Sequence, residues 1–106
     1  MANIQRGTPW SQTGTSGTQI IITQTGVALK TVYITDITAS SDMGTAVVIV
    51  KDGSTTIWQD RIGNAGAYMK QFVSPLSATM GNSVTVTVNG ATVCYANASG
   101  YVINNS

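Results

Sequence analysis

The chain has 106 residues, which is the size of a single domain and leaves no room for a second lobe. Four acidic and five basic residues give a net charge of +1, which offers no electrostatic attraction to nucleic acid or to an anionic membrane. One cysteine excludes an intramolecular disulfide and a cysteine metal cluster. Since the chain has no apolar signal region and no membrane-length apolar run, we expect it to be kept in a cytosol-like compartment.

Residues 1–17 are predicted to form an extended N-terminal arm, because they are rich in Gly, Ser, Thr and Gln and show no hydrophobic periodicity. The large apolar anchors of this arm are Ile4, Pro9 and Trp10. Ordering the arm costs on the order of 1–2 kcal/mol per residue in backbone entropy, so a surface must offset that cost. We expect the arm to dock on a neighbouring subunit; folding back over its own sheet is the alternative.

The folded domain is predicted to comprise residues 18–106 and to begin with two strands. Residues 18–23 (TQIIIT) indicate the first and residues 31–37 (TVYITDI) the second. In the second strand Val32 and Ile34 share a face, but Ile37 breaks the alternation. We therefore expect a bulge near Thr35 and Asp36 that returns Ile37 to the core side.

Residues 45–60 (TAVVIVKDGSTTIWQD) predict a hairpin, since an Asp-Gly pair between two β-rich runs favours a tight turn. A two-residue loop would place Val47 opposite Trp58. Val47, Ile49 and Trp58 would then share one face of the hairpin, while Val48 and Val50 would share the other. Because both faces are apolar, we predict that Val47, Ile49 and Trp58 form a contact with another subunit.

The remaining residues predict further strands. Residues 67–73 form one that ends before Pro75, and Leu76 and Met80 in the following loop cover one end of the core. A second hairpin is predicted at residues 83–96, turned at the Asn-Gly pair 89–90, before a closing strand kinked at Gly100. The pairing of this hairpin places three cross-strand pairs in the core and Cys94 on the outer face: Val84 with Tyr95, Val86 with Val93, and Val88 with Ala91.

The pattern of short strands and Gly/Asn turns predicts an all-β fold, namely a two-sheet antiparallel β-sandwich of jelly-roll type with seven or eight short strands. An immunoglobulin-like sandwich is the alternative, although the chain lacks the cysteine pair of many such domains.

Catalysis is not expected, because the chain has no His and no Glu to act as acid or base. Asp42, Asp52 and Asp60 lie where turns and strand ends explain them, no calcium-loop motif is present, and Cys94 has no histidine to activate it. We therefore predict no catalytic residue, no metal site and no cofactor. A sugar-stacking surface is the open alternative, weakened by the predicted core position of Tyr95, and its candidate aromatics are Trp10, Trp58, Tyr68, Tyr95 and Tyr101.

The order of the elements resembles that of small β-sandwich virion proteins of tailed phages. The segments that carry the resemblance are KTVYITDI, VVIVKDGSTTIW, an aromatic strand with a Pro-Leu loop, MGNSVTVTV and a closing SGYVI. The resemblance implies a non-enzymatic decoration or cement protein, made in the host cytoplasm, that stabilises the outer surface of a phage capsid. Its partners would be the major capsid protein and further copies of itself, with a trimer as the first candidate. A receptor- or glycan-binding module of a phage tail fibre is the alternative.

Overall fold

All regular structure in the computed structural model is β-strand across the residues that it describes, which are 7–42, 44–63 and 66–104. The all-β prediction is confirmed, although these residues form six strands, two of them long, rather than seven or eight short ones. No helix suitable for crossing a membrane occurs in this part of the chain. The strands are β1 (Thr8–Gln24), β2 (Lys30–Ser41), β3 (Ala46–Asp52), β4 (Thr55–Ile62), β5 (Ala67–Ser77) and β6 (Val84–Asn104).

The strand β6 is the centre of an antiparallel sheet with the order β4-β3-β6-β2-β5, and β1 also pairs with β6. The first part of β6, residues 84–89, lies between β3 and the second half of β1. The second part, residues 94–104, lies between β2 and the first half of β1. The long strands β1 and β6 therefore belong to both halves of the sheet, and every partner of β6 is distant in sequence.

The sheet curls around its core until it is nearly closed. On one side, the ring of Trp58 in β4 packs edge to face against the ring of Phe72 in β5, with ring centroids 5.2 Å apart. The ring centroids of Trp58 and Tyr68 are 6.1 Å apart. On the other side, Gln12 Nε2 donates a hydrogen bond of 3.1 Å to Gln24 Oε1, which joins the two halves of β1. The largest fully buried side chains between these sides are Val32, Ile34, Ile37, Val48, Val50, Ile62, Val84, Val86, Val88 and Cys94.

The bulge predicted in β2 is confirmed. The register of β2 shifts between Ile34 and Asp36 against both neighbouring strands, and Ile37 is fully buried. Opposite this bulge β6 passes so close that a Cβ on Gly100 would overlap the carbonyl oxygen of Tyr33. A glycine is therefore required where β6 crosses the bulge.

The hairpin at Asp52-Gly53 is confirmed, but its predicted register is wrong. Gly53 has a φ of 59°, as a tight turn requires, and an irregularity between Val50 and Lys51 places Val50 opposite Trp58. The extra residue in β4 moves Trp58 to the inner face, where it packs against the core. Val47 and Ile49 remain on the outer face, so the predicted trio does not share one surface.

The second predicted hairpin is wrong, since β6 runs without a turn through residues 89–90. Gly90 lies opposite Ala46, and a Cβ on it would come within 2.6 Å of the Cys94 Sγ. This glycine therefore allows the Cys94 side chain to approach the backbone of β6; it does not reverse the direction of the chain. Val84, Val86 and Val88 are buried as predicted. Beyond Gly90 the predicted positions are wrong. Cys94, predicted on the outer face, is buried, whereas Tyr95 and Val93, predicted in the core, are exposed, with Tyr95 45% exposed.

The predicted arm requires a correction from Thr8 onward, because residues 8–17 belong to β1. Thr8–Gly14 pair with residues 96–102 of the same chain, so this segment folds back on its own sheet. Trp10 packs against the core and its Nε1 donates a hydrogen bond of 3.1 Å to the Tyr33 carbonyl oxygen. Pro9 lies opposite Tyr101 at the start of the strand, and Ile4 lies outside the described residues.

The strand β5 continues past Pro75 to Ser77, whereas we predicted its end before this proline. Gln71 pairs with Asp36 and Leu76 with Ile34, so residues 72–75 bulge out of the ladder. A proline is tolerated there because its missing N–H leaves no ladder position unpaired. Leu76 packs against the core as predicted, while Met80 is exposed.

The carboxylate of Asp52 ties the β3–β4 hairpin to the loop before β6. It accepts hydrogen bonds from the Thr79 backbone N (2.9 Å), the Thr79 Oγ1 (2.8 Å) and the Asn82 Nδ2 (2.9 Å). Partial burial raises the pKa of this carboxyl, but the hydrogen bonds from Asn82 and Thr79 outweigh that effect and hold the pKa below its usual value.

We expect Asp52→Asn to cost about 1 kcal/mol at neutral pH and to flatten the pH dependence of stability. Because the folded-state pKa is depressed, the wild type has this stabilisation above the unfolded-state pKa of about 3.9 and loses it as the pH falls through the folded-state pKa. Thermal melts between about pH 7 and pH 2 measure the difference. The control Ser54→Asn keeps the carboxylate and should follow the wild-type curve; parallel curves for Asp52→Asn and wild type would contradict the assignment.

Candidate functional site

The outer face of the sheet half formed by β1, β6, β3 and β4 carries an apolar patch of Ile21, Val47 and Ile49. Ile21 is opposite Thr87 of β6, which is opposite Ile49 of β3, so these side chains form one row on one face. Val47 is two residues from Ile49 on the same strand and face. Ile21 is 59% exposed, while Val47 and Ile49 are half-buried. The structure thus brings two of the predicted interface residues together with Ile21, which sequence reasoning missed.

Two basic side chains flank the apolar patch. Lys51 follows Ile49 on the outer face of β3, and Arg61 lies directly opposite Val47 on β4. An apolar centre with a charged margin is the usual arrangement of a protein-binding surface.

The other half of the sheet presents a polar face, built from outward residues of β1, β6, β2 and β5. Its Asn97 Nδ2 lies 3.4 Å from the Thr38 Oγ1, and its Asp36 carboxylate accepts hydrogen bonds from the hydroxyls of Thr35 and Ser99. A shallow depression of about 320 Å³ lies between Tyr95 and Met69, and Met69 is 73% exposed. The rows of this face are Ser11–Ser99–Asp36–Gln71, Thr13–Asn97–Thr38–Met69 and Tyr95–Ser40–Ala67.

The candidate sugar-stacking aromatics are divided between the two sides of the sheet. Trp10, Trp58 and Tyr68 pack against the core, and Tyr68 also lines the depression beside Met69. Tyr95 stands on the polar face. Tyr101 is stacked on Tyr33, with ring centroids 4.9 Å apart and an interplanar angle of 19°.

Hydrogen bonds account for the Asp60 carboxylate, and burial accounts for the state of the Cys94 thiol. Asp60 accepts hydrogen bonds from the Arg61 backbone N and the Tyr68 hydroxyl, both at 2.8 Å, and these two bonds lower the pKa of its carboxyl. Burial, followed by the bond to Asp60, raises the pKa of Tyr68. Burial and the negative charge of Asp42 raise the pKa of the Cys94 thiol, which disfavours the reactive thiolate. Among the described residues, no three potential metal ligands cluster.

Comparison with known proteins gives distant structural neighbours. No family model matches the chain, and no curated protein matches it. One similar solved structure is the carbohydrate-binding module CBM36 in complex with calcium and xylotriose, with 15% identity, a TM-score of 0.49, and coverage of 78% of this chain and 71% of that one. Another is the insecticidal delta-endotoxin Cry8Ea1 from Bacillus thuringiensis, with 16% identity and a TM-score of 0.46. That likeness covers 90% of this chain but only 19% of the endotoxin.

Proposed function

We propose that this chain is a non-enzymatic structural protein of a virion, namely a decoration or cement protein on the outer surface of a phage capsid. In this proposal the two halves of the curled sheet act as the layers of a jelly-roll-like sandwich, and no cofactor takes part. The observation that carries the proposal is the outward apolar patch of Ile21, Val47 and Ile49 in a chain with only nine charged residues. The resemblance in the order of the elements supports the virion assignment.

The proposed mechanism is the bridging of neighbouring capsid subunits. The apolar patch docks on the major capsid protein, and each fully buried aliphatic side chain contributes roughly 1.5–3 kcal/mol at most. Lys51 and Arg61 at its margin favour an acidic partner surface and make the rate of association depend on salt. Separation of two bridged capsid subunits then also requires loss of these contacts.

We expect Ile49→Lys to weaken particle binding by about tenfold or more, because it buries a charge at the centre of the contact. The control Met69→Lys adds the same charge to the opposite face and should bind like the wild type. Co-sedimentation of each purified variant with particles that lack the protein gives the two affinities. Equal binding by Ile49→Lys and wild type would remove the patch from the interface.

The copy number in purified virions tests the decoration role itself. Hundreds of copies per particle are expected of a cement protein, whereas a handful would indicate a tail-fibre module. Absence of the chain from virions would reject both.

A receptor- or glycan-binding module of a tail fibre is the second candidate, and the polar face favours it. Tyr95 and Met69 offer apolar contacts for the C–H faces of a sugar ring, and Asn97, Thr38 and Ser40 offer neutral hydrogen-bonding groups beside them. The predicted core position of Tyr95 had argued against a sugar-stacking surface, but Tyr95 is exposed. A panel of neutral oligosaccharides, screened by glycan array, tests this candidate; binding that survives Tyr95→Ala would exclude the polar face as the site.

A further inference from the structure

The strand β1 forms an open edge of the sheet along both of its halves. It is 17 residues long and pairs with β6, and no other strand of the described chain pairs with it. An edge strand presents N–H and C=O groups in the geometry that a further strand requires. A long open edge is therefore a surface on which another chain can extend the sheet.

The edges at β4 and β5 carry the features that discourage such pairing. The β4 edge bears Asp60 and Arg61, while the β5 edge bears Lys70 and the bulge at residues 72–75 that contains Pro75. The strand β1 has Pro9 and two register shifts in its first part, but it has no charged residue between Thr8 and Gln24, and its stretch Gln19–Gln24 has none of these three features. The two sides of the sheet thus differ, and the side at β1 is the one suited to pairing.

The regular stretch of this edge is Gln19–Gln24. It pairs with residues 84–89 of β6 without interruption, whereas the register shifts twice between Gly14 and Gln19. Within the stretch Ile20 and Ile22 are buried inward, while Ile21 points outward and is more than half exposed. The open edge at this point is therefore regular, uncharged and apolar on its outer side.

We propose that β1 pairs antiparallel with β1 of a second copy of this chain, across a two-fold axis centred on Ile21. Two identical antiparallel strands on such an axis place Ile21 opposite the Ile21 of the second copy, and Ile20 opposite its Ile22. Because the stretch has no charge, the pairing opposes no like charges. The contact covers the flank of each Ile21 side chain that faces the strand edge, and it places the outer faces of the two copies side by side.

This self-pairing goes beyond the proposed virion function and does not depend on it, because the contact involves only two copies of this chain. A second copy is favoured over an unrelated strand because the edge is complementary to itself. A homotrimer about a three-fold axis does not arise from this contact.

The mass of the full chain in solution tests the pairing. Light scattering should give twice the monomer mass of 11.0 kDa for the wild type, falling toward 11.0 kDa on dilution. Ile21→Lys places like charges opposite each other on the axis and should weaken self-association by about tenfold or more. The control Gln59→Lys adds the same charge to the exposed face of the β4 edge and should remain dimeric.

Hydrogen exchange on the wild type provides a second measurement that requires no variant. The amides of residues 19–24 should exchange more slowly in a concentrated sample than in a dilute one. A monomer at every concentration, a trimer, or exchange in residues 19–24 that is independent of concentration would each overturn the proposal. Equal association of a folded Ile21→Lys variant and wild type would overturn it as well, with circular dichroism confirming the fold.

Discussion

The variant Val86→Asp is expected to give no soluble folded protein. Val86 is buried opposite Ile22 of β1 and Val50 of β3, at the middle of the inner face. A carboxylate there would have no polar partner, and its burial together with the lost packing costs more than about 5 kcal/mol, comparable with the total stability of such a domain. The soluble fraction after expression and far-ultraviolet circular dichroism measure the outcome.

The matched control is Thr87→Lys, one residue further along β6. Thr87 points to the outer face, so the change in stability should stay within about 1 kcal/mol. If both variants fold equally well, the inner and outer faces of β6 are assigned wrongly.

The variant Gly100→Ala is expected to be destabilised by roughly 2–4 kcal/mol, although it adds only one methyl group. That methyl group would overlap the Tyr33 carbonyl oxygen at the β2 bulge, so the β2–β6 ladder must open to accommodate it. Urea unfolding gives the loss as a change in midpoint.

Gly63→Ala provides the comparison for this substitution. A Cβ at Gly63 meets no atom within 4 Å, so alanine should leave stability unchanged or raise it by about 0.4–1 kcal/mol through the unfolded state. Equal midpoints for Gly100→Ala and Gly63→Ala would mean that β6 does not approach Tyr33 so closely.

Features set by neighbouring residues were predictable from the sequence. An Asp-Gly pair between two β-rich runs is sufficient to predict the turn at Asp52-Gly53. The bulge in β2 was predictable because Ile37 breaks the alternation of apolar and polar residues in that strand. The register of that hairpin was not predictable, because the extra residue before Trp58 is explained by the packing of its ring against Phe72 of β5.

Features set by distant partners were missed. Residues 89–90 carry the same kind of turn signal as residues 52–53, yet Gly90 meets Ala46 and Cys94, which no local pattern encodes. The first half of β1 resembled a free arm because a sheet edge tolerates polar residues, and its Gly14 lies where Ile20 leaves no room for a Cβ. The polar face was not recognisable either, since its rows combine four strands that are adjacent only in the folded chain.

The central position of β6 determines when this domain can fold during synthesis. Only the β3–β4 and β2–β5 ladders can form before residues 84–104 have left the ribosome, because every other ladder includes β6. Until then the apolar faces of β2 and β3 are not covered by β6, so they can aggregate or bind chaperones. The ladders that join β6 to β1, β2 and β3 can therefore form only after residues 84–104 have been synthesised.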